Sequence, residues 1–239
     1  MCTVSFLPTR SGFLLAMNRD EKKTRVRARA PRQHWTGTHQ ALFPAEPDGG
    51  TWVGTNDAGL SLALINWYAK PQRDRALCVG RGVIIPHLLA ADGIADIGAM
   101  FADLPLGRIN PFRLIAASAR EKGLREWRWD GKKLSCRKFS WSRRHWFSSG
   151  FNEPLVARKR AAVMRDVPVL TPARLRKLHA AHLPERGPFS LCMHREDAAT
   201  VSYTEIAVSK SGARMRYAAG SPCRKAPGAP RALSFARET

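Results

Sequence analysis

Cys2 is the residue of this chain best suited to chemistry. Initiator methionine is ordinarily trimmed when a small residue follows it, which would leave a thiol and a free α-amine on one carbon. An α-amine of pKa about 7.7 is a base poised at neutral pH, able to take the thiol proton directly or through one water. No separate histidine base is then needed. Standing alone, Cys2 is simply a small residue after Met1. It has polar company, however: the run Asn18-Arg19-Asp20-Glu21 closes the next apolar stretch, and the apolar run 60–65 ends on Asn66.

These residues meet only if strands bring them together. Cys2, Val4 and Phe6 fall on one face of a period-two strand, the stretch 8–12 is turn chemistry, and 13–17 is a second apolar run, which together read as a β-hairpin. A turn centred between Thr9 and Arg10 sets Cys2 opposite Met17; one centred on Arg10 sets it opposite Asn18. Either register puts the start of the chain beside 18–21, because opposed β-carbons lie ~5 Å apart. The segment 22–48 is polar, basic and dotted with Pro31, Pro44 and Pro47, so it reads as irregular chain with at most one short strand. A second hairpin follows, 51–55 against 60–66, turning over Asn56-Asp57-Ala58-Gly59.

Further along, helical spacing marks 82–91, 94–104 and 154–166, and Thr171-Pro172 is a capped helix start. Strands are expected at 112–117, in a hairpin of 124–129 with 134–139, and in three closing runs at 189–194, 200–208 and 213–218. Strands gather toward both ends of the chain with helices between, which is not the strict alternation of a doubly wound parallel sheet. An α+β layered fold is expected, as one domain over 1–220. The stretch 221–239, rich in Pro, Ala and Arg, reads as a flexible basic tail.

Composition bounds the function classes. The 239 residues carry 40 Lys plus Arg against 19 Asp plus Glu, a net charge of +21, while 44% hydrophobic and 25% charged residues are ordinary for a globular protein. Such a chain buries a core without disulfide or metal staples. The five cysteines (Cys2, Cys78, Cys136, Cys192, Cys223) form no Cys-x-x-Cys pair, which disfavours a disulfide framework and a zinc ribbon and suits a reducing compartment. The apolar stretch 83–106 is interrupted by prolines and aspartates and is no membrane span, and the start lacks a basic leader, so a cytoplasmic location is expected. The basic excess invites nucleic acid. No finger, zipper or aromatic-basic strand motif accompanies it, and the charge is spread along the chain, as on a solvated surface.

The opening Met1-Cys2-Thr3-Val4, the run from Gly12 to Glu21, the block Gly50-Thr51-Trp52-Val53-Gly54 and the spacing Asn56-x-x-Gly59 resemble the NRDE family, also called transport and Golgi organisation protein 2-like. The family takes its name from the four residues standing here at 18–21, and the match is dense over residues 1–68. That family in turn looks like the N-terminal-nucleophile hydrolases of the choloylglycine hydrolase and penicillin V acylase type. The resemblance implies a four-layer αββα sandwich and cleavage of non-peptide amides.

Carried over residue by residue, it implies Cys2 as nucleophile, Asp20 as holder of the α-amine and Asn66 as oxyanion donor, an effect worth ~3 kcal/mol. Arg19 would screen Asp20 or clamp a substrate carboxylate or phosphate. Asn18, Glu21, Trp52 and Ser149 complete the expected ligand-binding set. Ser149 stands where those hydrolases carry an Asn, Met17 where they carry an Arg, and a late-strand Arg has no counterpart beside Thr200-Val201-Ser202. Two functions follow: an N-terminal cysteine amidohydrolase or acyltransferase on a small acylated anionic substrate, or a non-catalytic carrier of an amphipathic anion such as haem or acyl-coenzyme A.

No cofactor is required, and no metal site is expected. His179 and His182 lie a turn apart without a carboxylate to complete a set. Cys192-Met193-His194-Arg195 offers soft ligands of the kind haem iron takes, but no Cys-x-x-Cys-His attachment motif.

Overall fold

A two-residue turn, Arg10-Ser11, folds the start of the chain into a long hairpin, β1 (Cys2–Thr9) against β2 (Gly12–Lys22), in the computed structural model, which describes residues 2–235. Pairing runs from Cys2↔Arg19 to Thr9↔Gly12, so the turn lies later than expected and neither Met17 nor Asn18 stands opposite Cys2. The difference decides which side chains share a face, since a one-residue slip turns every side chain over. Cys2 goes with Arg19; Asn18 and Asp20 take the other face. Gly12 is required here, because a β-carbon on it would lie 2.3 Å from the Val208 carbonyl oxygen.

The segment expected to be irregular instead supplies two strands, β3 (Arg29–Trp35) and β4 (Gln40–Ala45). Pro31 falls at a register shift in an edge strand and Pro44 outside the paired positions, so their missing N–H groups interrupt no ladder. The second expected hairpin forms as β5 (Val53–Asn56) and β6 (Leu60–Asn66), with Gly59 at φ +80° in the turn. Asn56 closes that turn by accepting from the Leu60 N–H at 2.9 Å and donates to the Leu89 and Ala91 carbonyls at 3.0 and 2.8 Å. β7 (Phe112–Ser118), β8 (Gly123–Trp129) and β9 (Leu134–Phe139) complete an antiparallel sheet of order β3-β4-β5-β6-β7-β8-β9.

A second antiparallel sheet adds β10 (Arg144–Ser148), β11 (Ala198–Val208), β12 (Gly212–Ala218) and β13 (Arg231–Ser234) to the first hairpin, in the order β10-β1-β2-β11-β12-β13. An early and a late strand of the chain thus meet at the β2–β11 pairing. Two expectations fail. Residues 189–194 are not a strand but a loop, turned by Ser190 Oγ bonding the Gly187 and Cys192 carbonyls, and only His194 makes an isolated bridge to Ala199. The stretch 221–239 is not a tail throughout, because Arg231–Ser234 is the paired strand β13; residues 236–239 lie outside the described residues.

The helices lie on the outer faces. α1 (Ile84–Leu88) and α2 (Ile97–Met100), both shorter than their spacing suggested, cover the seven-stranded sheet, burying Ile84, Leu88 and Ile97 against Leu60, Leu62 and Leu64. α3 (Glu153–Arg165), capped by Asn152, and α4 (Pro172–Ala180), capped by Thr171, cover the other, burying Met164, Leu175 and Leu178 with Leu14, Ala16 and Phe147. Between the sheets Val4, Phe6, Leu15 and Met17 meet Val53, Ala63, Ile65 and Ile115. Alternate residues of β6 therefore feed two cores, each buried side chain contributing ~1.5–3 kcal/mol. The result is an αββα stack of four layers. No helix of the described residues is long and apolar enough to cross a membrane.

Candidate active site

One end of the inter-sheet layer opens into a cleft of about 310 Å³. Its walls are the start of β1, the end of β2, the 46–52 turn between β4 and β5, the end of β6, and the 78–83 loop before α1. That loop lies directly on the turn: the Thr51 N–H donates to the Gly82 carbonyl at 3.0 Å, and a β-carbon on Gly82 would come within 3.0 Å of the Gly50 Cα. Paired glycines let two backbones touch and shape the rim.

Cys2, Arg19, Asp20, Glu21, Trp52 and Asn66 of the expected site all border this cleft. Cys2 is 8% exposed. Burial pushes its thiol up, outweighing the nearby positive charges that pull the other way, so the resting group is the thiol. No histidine lines the cleft among the described residues.

The four polar residues closing β2 divide between the two faces of the strand. Arg19 lies 4.3 Å over the Trp52 ring, ion-pairs with Glu46 and reaches Glu21 at 3.7 Å. Its charge is therefore matched by Glu46 and Glu21, neither turned to Asp20 nor held open for an anionic substrate as expected. Arg25 also pairs with Glu46, and Asp48 lines the same wall. On Glu21 burial acts upward, but the Lys22 N–H and the Arg19 and Arg25 charges hold its carboxyl below the usual range.

Asp20 turns toward the helix layer and is 1% exposed. Arg160 of α3, fully buried, donates from both terminal nitrogens to Asp20 Oδ2 at 3.2 Å, and Thr200 Oγ1 donates to Oδ1 at 2.6 Å. Arg160 also donates to Thr3 Oγ1 at 2.8 Å, bridging β1 and β2. Sequence reasoning missed Arg160, although the signal was there: it stands with Val156 and Met164 on the buried stripe of α3 as its one basic member.

Asn66 Nδ2 donates to the Tyr68 hydroxyl at 2.7 Å, which leaves the second amide hydrogen for another acceptor. Asn18 and Ser149 are not brought into the cleft. Asn18 faces the helix layer, where Nδ2 donates to the His179 and Leu191 carbonyls at 2.8 Å each and ties down the loop after α4. Ser149 Oγ donates to the Phe151 carbonyl at 2.8 Å and accepts from its N–H, shaping the turn into α3. Sequence reasoning also missed Cys78 and Asn110 in the cleft wall, the Asn110 amide donating to Cys78 Sγ at 3.3 Å.

Comparison with known proteins fits this geometry. The family profile described as Transport and Golgi organisation 2 matches residues 1–153. No curated protein matches the chain by sequence. Among solved structures, penicillin V acylase from Agrobacterium tumefaciens is 14% identical, covers 91% of this chain and 83% of its own, and superposes with TM-score 0.54. A mutant of the conjugated bile acid hydrolase from Clostridium perfringens is 10% identical over 100% of this chain and 97% of its own, with TM-score 0.55. A variant of the same hydrolase gives 12%, 99%, 97% and 0.54. At such identities the likeness is one of fold, and that fold is the αββα sandwich of the N-terminal-nucleophile hydrolases.

Proposed function

The chain belongs to the Transport and Golgi organisation 2 family, and from that premise we propose that it is an N-terminal cysteine amidohydrolase, or an acyltransferase of the same mechanism, acting on a small non-peptide amide. The observation that carries the reading is the position of Cys2: first residue of an inner strand, facing a cleft, with the buried Asp20–Arg160 pair beside its backbone. With Met1 removed, the α-amine would stand next to the Asp20 carboxylate. It would take the thiol proton as sulfur attacks the amide carbonyl. The oxyanion would be met by the second hydrogen of Asn66 Nδ2, and collapse would break the C–N bond, the amine leaving with the proton from the Cys2 ammonium. Water, or an acceptor amine, would then cleave the thioester.

A thiol pushed up by burial needs such a base, and the cleft offers no histidine among the described residues. Trp52, Leu64, Val79 and Val83 favour a compact apolar acyl group. The matched charges of Arg19 and Arg25 remove the reason to require an anion. A carrier of haem or acyl-coenzyme A would use the same Arg–Trp wall. The volume, near the low end of the ~300–1,000 Å³ of ligand pockets, favours the small acyl group.

Hydrolysis of chromogenic N-acyl amides tests the proposal. Turnover by the wild type that disappears in Cys2→Ala supports it. Saturable binding of haem or acyl-coenzyme A, with no turnover across an acyl series, would support the carrier instead.

A further inference from the structure

On the far side of Asp20 lies a group of side chains that the cleft does not use. His182, Cys192, His194 and Cys223 place their ligand atoms within 4.8 Å of one another. Three segments separated in sequence supply them. His182 follows α4, Cys192 and His194 lie on the 187–194 loop, and Cys223 is in the turn after β12. The backbone holds them in place: the Cys192 N–H donates to the Ala181 carbonyl at 2.9 Å, the Leu191 N–H to the Leu183 carbonyl at 3.0 Å, and Ser221 Oγ to the Thr200 carbonyl at 2.7 Å.

We propose that these four residues form a tetrahedral Zn²⁺ site. His194 Nε2 faces two sulfurs at once, Cys223 Sγ at 3.3 Å and Cys192 Sγ at 3.7 Å. A neutral imidazole nitrogen has one hydrogen or one lone pair, so it satisfies one of them. His182 Nε2 is buried without a hydrogen-bond partner among the described residues. A cation at the centre satisfies all four ligands together. Zn–S bonds of ~2.3 Å and Zn–N bonds of ~2.0 Å give tetrahedral N···S edges of ~3.5 Å, between the two observed separations.

Two thiolates would balance Zn²⁺, giving a neutral, half-buried centre, and four protein ligands leave no open position, which is the pattern of a structural rather than a catalytic site. The site would staple the turn after β12 to the loop after α4. Through Met193, whose N–H donates to Thr200 Oγ1 at 2.8 Å, it would brace the hydroxyl that holds Asp20. The proposal does not depend on Cys2 being catalytic. No local motif announces the site, since only Cys192-x-His194 is contiguous and the other two ligands are brought in by the fold.

The test is metal analysis of the full chain expressed with zinc and purified under reducing conditions, followed by Co²⁺ titration of the chelator-stripped protein. One zinc per chain is expected, with the strong visible absorption of tetrahedral cobalt and a thiolate-to-cobalt charge-transfer band. Cys223→Ser and His182→Gln alter half-buried positions, and circular dichroism checks that they fold. Each should weaken zinc affinity at least ~tenfold, and Cys223→Ser should diminish the charge-transfer band. Restoring zinc should raise the Tm of the stripped wild type. Substoichiometric metal in the wild type, an octahedral cobalt spectrum, undiminished uptake by Cys223→Ser, or a Cys192–Cys223 disulfide despite reducing purification would overturn the proposal.

Discussion

Arg160 brings a guanidinium into a fully buried position on α3, and its partner Asp20 is 1% exposed. Removing one member of such a pair leaves an uncompensated buried charge, so Arg160→Ala should lower the unfolding free energy by about 3–5 kcal/mol in urea titrations. The double variant Asp20→Asn/Arg160→Met should recover part of that loss, because no charge is then left behind. A double variant as unstable as the sum of its singles would contradict this reading. At the residue scale much of the lining of the candidate cleft was legible. Cys2, Arg19, Asp20, Glu21, Trp52 and Asn66 converge on the cleft. Asn18 was placed there because spacing reports proximity along a strand, whereas its role depends on the face it takes; Ser149 was placed by the resemblance, and its hydroxyl instead closes the turn into α3. Arg19 was expected to meet Asp20 or a substrate anion, because its partner Glu46 comes from a turn no local pattern could connect to it.

Elements explain the rest of that difference. With the hairpin turning over Arg10-Ser11, Ser5 on β1 stands between two histidines from different elements, His145 half-buried and His179 fully buried. His145 Nδ1 of β10 lies 2.8 Å from its hydroxyl and His179 Nε2 of α4 lies 2.9 Å from it. Burial, reinforced by the charge of Arg143, lowers His145 to about 4, and burial with the charges of His145 and Arg160 lowers His179 to about 3. Both are depressed in the folded state, so their contribution is present above the unfolded value near 6.5 and is lost as pH falls. Stability should decline from about pH 6.5 toward pH 4, by up to ~1.4 kcal/mol per pH unit for each histidine. His179→Gln should flatten that acid limb in denaturant titrations at stepped pH. An unchanged slope would show that the histidines are already protonated in the fold. Hairpins and capped helices were readable because their signals are local: Gly59 in its turn, Thr171 before Pro172, the period-two runs. The strands β3 and β4 and the 187–194 loop were not, since prolines at unpaired positions mimic irregular chain and a short apolar run does not reveal a serine-closed loop.

For the whole molecule, the +21 charge and the cleft separate. Arg19, Arg25 and Arg81 line the cleft alongside Asp20, Glu21, Glu46 and Asp48, so the excess lies elsewhere on the surface. Surface charge of this kind is screened within ~10 Å at 0.1 M salt. The rate on an uncharged amide should therefore change less than about twofold between low and moderate salt. A steep fall would mean that the cationic surface steers substrate after all. The four layers bring distant parts of the chain together near Cys2, since β11 lies along β2 and Thr200 reaches Asp20. Asp20, close to Cys2, is thus held by residues 140 and 180 positions further along the chain. The central claim is that Cys2, freed of Met1, is the nucleophile. Intact and tandem mass spectrometry after exposure to a small acyl β-lactone tests it most directly. The account predicts a chain lacking Met1 that gains one acyl group on Cys2, with Cys2→Ala unlabelled. Retained Met1, or equal labelling of Cys2→Ala, would contradict it.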